Sequence, residues 1–229
     1  MEAASKKARA ASERGEPAVF PPWAIEATRV GGRTLSRALW GIRYRGVEHI
    51  PPASRGGLIV AANHQTYFDP FWISFPIKRP MRYLAWNEAF DWPFVGKLLE
   101  LFGSWPIQLE GGDPTAIRRS LQWLRRGGAV VIFPEGGRAK PDGRPMKFKP
   151  GAARMALEAE VPILPVTIRG GHRVWPRGWR VPRPGRVEVV YHPPFHVAPR
   201  EGEDTRACAR RATDELAGII AGELKSSRR

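Results

Sequence analysis

The sequence predicts an α/β domain: a mainly parallel sheet flanked by helices, with a basic N-terminal helical segment placed at a membrane surface. Three observations carry this prediction. Short apolar runs recur at 58–62, 81–85, 129–133 and 163–168, with the near-continuous hydrophobicity of strands buried on both faces. Segments of helical periodicity separate them, and strands alternating with helices are the pattern of parallel crossover units. A chain of 229 residues, 42% of them hydrophobic, is also long enough to bury one substantial core.

In chain order, residues 1–20 read as a flexible basic tail, with Lys6, Lys7, Arg9 and Arg14 among Ala and Ser and with Pro17, Pro21 and Pro22 closing it. It lacks the apolar centre of a secretory signal. Residues 21–45 read as an amphipathic helical segment. Arg29, Arg33 and Arg37 recur every fourth position, while Val30, Leu35, Ala38, Leu39 and Ile42 take other faces. Gly31-Gly32 interrupts the pattern, since each glycine costs about 1 kcal/mol inside a helix. Two placements fit this segment: against a lipid surface, or packed on the domain's own core.

The domain proper spans 46–229. A strand at 58–62 is followed by a short helix at 70–77 and a strand at 81–85. In the next helix Asp91 serves as cap, Pro93 suits the first turn, and Phe94, Val95, Leu98, Leu99 and Phe102 form an apolar side before Gly103 ends it. A short strand at 105–109 follows. Asp113-Pro114 opens a helix whose Ile117, Leu121 and Leu124 repeat at i, i+4 and i+7, and Gly127-Gly128 closes it. Then come a strand at 129–133, a helix at 151–160, strands at 163–168 and 186–191, and a last amphipathic helix at about 203–224 with Ala212, Leu216, Ile219, Ile220 and Leu224 inward.

Charge narrows the partners. Lys and Arg number 37 against 22 Asp and Glu, a net +15, which selects acidic partners: nucleic acid, anionic lipid or phosphorylated small molecules. No helix-turn-helix, zinc-finger or RNA-stacking pattern supports nucleic acid. The single Cys208 cannot form an intrachain disulfide and reads as a small helix-packing residue. His192 and His196 are separated by two prolines and no HExxH spacing occurs, so no metal is expected. No apolar stretch approaches the roughly 20 residues that span a bilayer, which leaves peripheral or monotopic contact.

Two motifs carry the chemistry, about seventy residues apart and each at the end of an expected strand: Asn63-His64-Gln65-Thr66-Tyr67-Phe68-Asp69 and Phe133-Pro134-Glu135-Gly136-Gly137-Arg138. A neutral imidazole can take a proton near neutral pH, so His64 is the candidate general base. A turn through 65–68 brings the Asp69 carboxylate to one ring nitrogen, fixing the tautomer and stabilising the imidazolium. The alternative is a structural histidine, with Asp69-Pro70 capping the next helix. Only the hydroxyls of Thr66 and Tyr67 stand nearby, which favours activation of a substrate hydroxyl over a covalent acyl-enzyme. In the second motif, glycines let backbone N–H groups approach an anion and Arg138 offers a fork to phosphate. Glu135 orients Arg138 or bonds a substrate hydroxyl; a surface turn with an ion pair is the other reading.

NHQTYFD and FPEGGR resemble, in this order, the NHxxxxD and FPEGTR signatures of the glycerophospholipid acyltransferase family, which includes the bacterial 1-acylglycerol-3-phosphate acyltransferases. Lys149-Pro150-Gly151-Ala152 and Val161-Pro162-Ile163-Leu164-Pro165-Val166 extend the likeness, which covers about 46–191. The resemblance implies direct acyl transfer from acyl-CoA or acyl carrier protein to the free hydroxyl of a lysophospholipid, 1-acylglycerol-3-phosphate, giving phosphatidate. It implies no metal and no cofactor, and partners that include an anionic membrane surface but no nucleic acid, at the cytoplasmic face. His64 would be the base, Asp69 its orienting partner, and Glu135, Gly136 and Arg138 the acceptor-phosphate pocket.

Two departures stand out. Gly137 replaces the family's usual Thr, and Leu109 stands where the family commonly has a phosphate-binding Arg. The second leaves open a lyso-lipid acceptor with another headgroup. The loop 173–186, with Trp175 and Trp179 among five arginines, reads equally as a lipid or CoA contact and as a solvated basic loop with a Trp tucked into the core. A rival of another class, a non-catalytic basic binding protein, predicts salt-dependent binding indifferent to His64 and Asp69.

Overall fold

In the computed structural model, which describes residues 19–226 apart from 93, 109–112, 141 and 177, seven strands form one sheet. The strands are β1 (Arg43–Arg45), β2 (Leu58–Ala62), β3 (Met81–Trp86), β4 (Ser104–Ile107), β5 (Ala129–Ile132), β6 (Ile163–Arg169) and β7 (Glu188–Tyr191). The helices are α1 (Pro22–Trp40), α2 (Asp69–Ser74), α3 (Val95–Leu101), α4 (Pro114–Arg125), α5 (Gly151–Ala159), α6 (Gly171–Val174) and α7 (Thr205–Ser226). Across the sheet the order is β1-β7-β6-β2-β5-β3-β4. Every neighbouring pair is parallel except β6 with β7, so the expected mainly parallel sheet is present.

The central strands are apolar throughout because both faces are covered. In β2, Leu58, Val60 and Ala62 join a core with Trp40, Trp72 and Ile73, so α1 and α2 lie on that side. Ile59 and Ala61 point the other way, into a core with residues of α4, α5 and α7. Since β2 exits into α2 and β5 leads to α5, the two adjacent strands send their continuations to opposite faces. The crevice beyond their carboxyl ends is the position where open α/β sheets bind ligands. Both motifs lie there.

Several expectations change. β1 belongs to the sheet, pairing with β7 from Arg43↔Glu188 to Arg45↔Val190, so the last three residues of the 21–45 segment are sheet rather than helix. α1 runs through Gly31-Gly32 without a break. Gly32 is where Phe75 comes closest: a Cβ there would lie 2.6 Å from the ring's Cζ. The contact face of α1 is formed by Arg29, Gly32, Ser36 and Trp40, at helical spacing. The Arg29 guanidinium donates to the Ile77 and Arg79 carbonyls, and Ser36 Oγ accepts from Trp72 Nε1 at 3.2 Å. Arg29 therefore faces inward, while Val30, Leu35 and Leu39 remain 61%, 57% and 48% exposed. Apart from Trp40, which is buried in the core, the helix turns small and polar residues to the protein and Val30, Leu35 and Leu39 away from it.

Asp91 does not cap α3. It ends a 3₁₀ turn, Asn87–Asp91, and the cap position is Phe94 with φ 62°, without a side-chain cap bond. The apolar side of α3 is divided: Phe102 packs on Phe71, whereas Phe94, Val95 and Leu98 are exposed. Asp113, by contrast, caps α4 as expected, accepting from the N–H groups of Thr115 and Ala116. The tail 1–18, Pro93, Leu109 and Arg177 lie outside the described residues. Gly32→Ala is expected to cost about 1–3 kcal/mol through overpacking against Phe75, read as a lower urea midpoint at unchanged slope.

Candidate active site

The first motif closes on itself around Asp69. This carboxylate is fully buried, and Oδ2 accepts from the Gln65 N–H, from the Thr66 N–H at 2.7 Å and from His64 Nδ1 at 2.8 Å. Oδ1 accepts from the Thr66 hydroxyl at 2.7 Å. A carboxylate with backbone donors already committed to it acts as an acceptor, so Nδ1 carries the proton and the lone pair of neutral His64 is at Nε2. The ring stacks on Phe133, centroids 4.1 Å apart, which pins its plane with a residue from the second motif. Asn63 anchors the end of β2 by a reciprocal pair with Ile168 of β6, donating from Nδ2 at 3.0 Å and accepting at Oδ1 at 2.8 Å.

Glu135 joins the two motifs. Its Oε1 accepts from the His64 N–H at 2.8 Å and its Oε2 from the Met146 N–H at 2.6 Å, and the residue is 4% exposed. The chain just after the second motif returns the contact: Ala139 N–H donates to the His64 carbonyl at 2.6 Å. Glu135 thus braces the loop that carries His64, a role that sequence spacing did not suggest; no ion pair or hydrogen bond ties it to Arg138. Burial pushes its carboxyl above the ordinary value, although the Met146 and His64 amides and the nearby imidazole pull it back.

A folded value above the unfolded one means that ionisation costs stability. The contribution is complete below the ordinary carboxylate value and fades as pH rises through the raised one. Glu135→Gln should remove that pH-dependent loss. It should also lower stability overall by about 1–3 kcal/mol, because its amide turns a donor toward one of two buried N–H groups. Urea titrations of both proteins from pH 4 upward test this: the stability difference between parent and variant should shrink as pH rises through the raised value, and a difference independent of pH would contradict the raised carboxyl.

Arg138 sits beside the His64 loop, on Tyr67. Its guanidinium lies 3.8 Å from the Tyr67 ring centroid and Nη2 donates to the Tyr67 hydroxyl at 3.0 Å. Its Nη1 is buried without a hydrogen-bond partner. Gly136 adopts φ 68°, a conformation glycine takes without strain, and a Cβ there would lie 3.0 Å from Lys149 Nζ, so an ammonium stands over the turn. A Cβ at Gly137, the position that departs from Thr, would lie 3.2 Å from the Met146 methyl, so the segment carrying Met146 fits the smaller residue.

The loop after β6 closes the other side. Trp175 packs against Tyr67 and Phe68, centroids 5.2 and 5.1 Å apart, and donates from Nε1 to the Trp179 carbonyl at 2.9 Å. Trp179 is half exposed with the Arg183 guanidinium 4.6 Å from its ring centroid. Trp175 is partly buried against the core and Trp179 faces solvent, the arrangement of a basic loop with one Trp tucked in. Outside the site, Cys208 is buried in α7. His192 bonds the Thr167 hydroxyl through Nε2 at 2.8 Å.

Comparison with known proteins places this constellation. The family model described as Acyltransferase matches residues 41–169. Among curated proteins, a 1-acyl-sn-glycerol-3-phosphate acyltransferase of Pseudomonas aeruginosa is 33% identical over 182 residues, covering 76% of this chain and 66% of its own. A chloroplastic counterpart from Arabidopsis thaliana is 29% identical over 160 residues, 68% of this chain and 44% of its own, so the chain spans less than two thirds of the length of these relatives. The crystal structure of the 1-acyl-sn-glycerophosphate acyltransferase PlsC from Thermotoga maritima superposes with a TM-score of 0.71 at 25% identity, over 90% of this chain and 78% of that one. With its two signature motifs brought together at the ends of β2 and β5, and the matched region covering more than half of its length, the chain belongs to the acyltransferase family.

Proposed function

We propose that the protein is an O-acyltransferase that moves a fatty acyl group from acyl-CoA or acyl carrier protein to the free hydroxyl of 1-acylglycerol-3-phosphate, giving phosphatidate. The observation that carries this reading is the His64–Asp69 pair at 2.8 Å beside an arginine whose Nη1 is buried and unpaired. His64 Nε2 takes the acceptor's hydroxyl proton as its oxygen attacks the thioester carbonyl. The C–O bond forms, the C–S bond breaks, and the imidazolium returns the proton to the departing thiolate. Asp69 holds the ring and stabilises its charge. Arg138 and the N–H groups of the glycine turn take the acceptor phosphate. Neither step needs a metal or cofactor.

The protein works at the cytoplasmic face of an anionic membrane as a peripheral or monotopic protein in this reading. One face of α1 packs on the domain's core, and the outward aliphatic residues of the other face, with Trp23 75% exposed at its start and Arg33 and Arg37 also exposed, support lipid contact there. No helix among the described residues is long and apolar enough to cross a membrane. Both donor classes are acidic and suit a chain of net charge +15.

Arg138→Ala tests the phosphate assignment. It should raise the Michaelis constant for lysophosphatidate at least about tenfold, the loss of one charged hydrogen bond of 1.5–3 kcal/mol, and leave that for the acyl donor nearly unchanged. Equal effects on both substrates would contradict the pocket. Transfer by the parent protein to a lyso-lipid without a terminal phosphate, in preference to lysophosphatidate, would transfer the mechanism to another acceptor.

A further inference from the structure

We propose that the rim of the active site, carried by Trp92 and Phe94, inserts into the headgroup zone of an anionic bilayer and opens the site directly to lipid in the membrane plane. The proposal rests on the acyltransfer reading above and names a membrane contact separate from α1. Phe94 is 93% exposed and adopts φ 62°, a conformation that costs a bulky non-glycine residue strain. An aromatic ring held at a strained turn with almost no protein contact gains nothing from folding. An apolar phase that it enters would supply the missing burial.

The surroundings specify which phase. Trp92, 43% exposed, packs edge-on to Tyr67 with centroids 6.4 Å apart, and Tyr67 carries the Arg138 guanidinium. Tyr67 also packs edge-on with Trp175, whose Nε1 bonds the carbonyl of exposed Trp179, and Arg183 lies over the Trp179 ring. Indoles and guanidiniums around one opening match the chemistry of a phospholipid interface, where amphipathic rings and phosphates meet.

The same surface continues toward α1. The Phe20 N–H donates to the Leu101 carbonyl at 3.0 Å and the Phe20 and Phe102 rings pack at 5.2 Å, so the entry to α1 runs beside α3. Val95 and Leu98 of α3 are 40% and 45% exposed, and Lys97 between them is exposed to meet an anionic headgroup. α1 and the Phe71–Phe102 contact lie on one side of the sheet, opposite α7. An acceptor lying in the leaflet would reach Arg138 past Trp92 and Phe94 without passing through water.

The test places a polarity-sensitive bimane probe at position 94 through Phe94→Cys; the native Cys208 is buried. A second protein carries the probe at exposed position 214 of α7 through Asp214→Cys. On vesicles of phosphatidylglycerol and phosphatidylethanolamine containing nitroxide lipid, the probe at 94 should shift to the blue and be quenched, while that at 214 should stay aqueous. Phe94→Asp should lose at least about tenfold in kcat/KM on long-chain lysophosphatidate in vesicles relative to short-chain lysophosphatidate dispersed as monomers, and Phe94→Trp should not. A probe at 94 that stays in water with vesicles present, or a Phe94→Asp loss equal on both acceptors, would overturn the inserting rim. Insertion at 94 without transfer to any acceptor would remove the acyltransfer reading and leave the rim in place.

Discussion

Replacing His64 by Ala should lower kcat by about 10²–10⁴-fold, the range that a positioned general base supplies, while leaving the fold intact. The second half of that expectation follows from where His64 is held. Its backbone N–H and C=O bond Glu135 and Ala139, contacts that alanine keeps; removing its ring, 17% exposed, loses the Phe133 stack and one of the four bonds that the Asp69 carboxylate accepts. The thermal midpoint should therefore move only a few degrees. A structural histidine, the alternative that the motif alone allows, predicts the reverse: a destabilised protein that retains its turnover. Steady-state release of free thiol together with a thermal melt separates the two.

Asp69→Asn should lose a comparable amount of activity for a different reason, and should also lose stability. The carboxylate accepts four hydrogen bonds, three at Oδ2 and one at Oδ1, in a position sealed from water. An asparagine offers one acceptor oxygen and turns an NH₂ toward donors. If its oxygen keeps the backbone amides, its NH₂ faces the Thr66 hydroxyl, and His64 must share what remains. If it flips, both the imidazole tautomer and the loop lose their anchor. The equivalent change in a Ser-His-Asp triad lowers kcat by about 10⁴. Each buried donor left unpaired adds about 1–3 kcal/mol of destabilisation, so the urea midpoint should fall clearly below that of His64→Ala. An Asp69→Asn protein as stable and active as its parent would show that this carboxylate neither orients the base nor builds the loop.

HxxxxD was legible because a strand followed by a tight turn leaves few ways for the carboxylate to return, and the return places it on Nδ1. The parallel sheet was legible in the unbroken apolar runs of β2 and β5. β1 was not: Arg43, Tyr44 and Arg45 form an edge strand whose outward charges carry no strand signal, and only pairing with β7 defines it.

The orientation of α1 was hidden for a related reason. Periodicity assigns apolar residues inward by default, but here close approach at Gly32 and donors reaching backbone carbonyls from Arg29 form the contact, leaving Val30, Leu35 and Leu39 outside. The brace at Glu135 joins residues seventy-one positions apart and was readable only once β2 and β5 were neighbours. The cap of α3 failed locally, since Asp91 is taken up in a 3₁₀ turn before the helix starts.

In the proposed reaction His64, held by Asp69, activates the hydroxyl of a phosphate-bearing lyso-lipid for direct attack on a thioester. The most direct measurement follows a radiolabelled acyl group from long-chain acyl-CoA and from acyl carrier protein into lipid, with lysophosphatidate and lysophosphatidylcholine in separate reactions and His64→Ala beside the parent protein. The expected result is labelled phosphatidate from at least one donor, little label in phosphatidylcholine, and loss of the product in the variant. Undiminished phosphatidate formation by His64→Ala, or no labelled product from either donor with either acceptor, would contradict it.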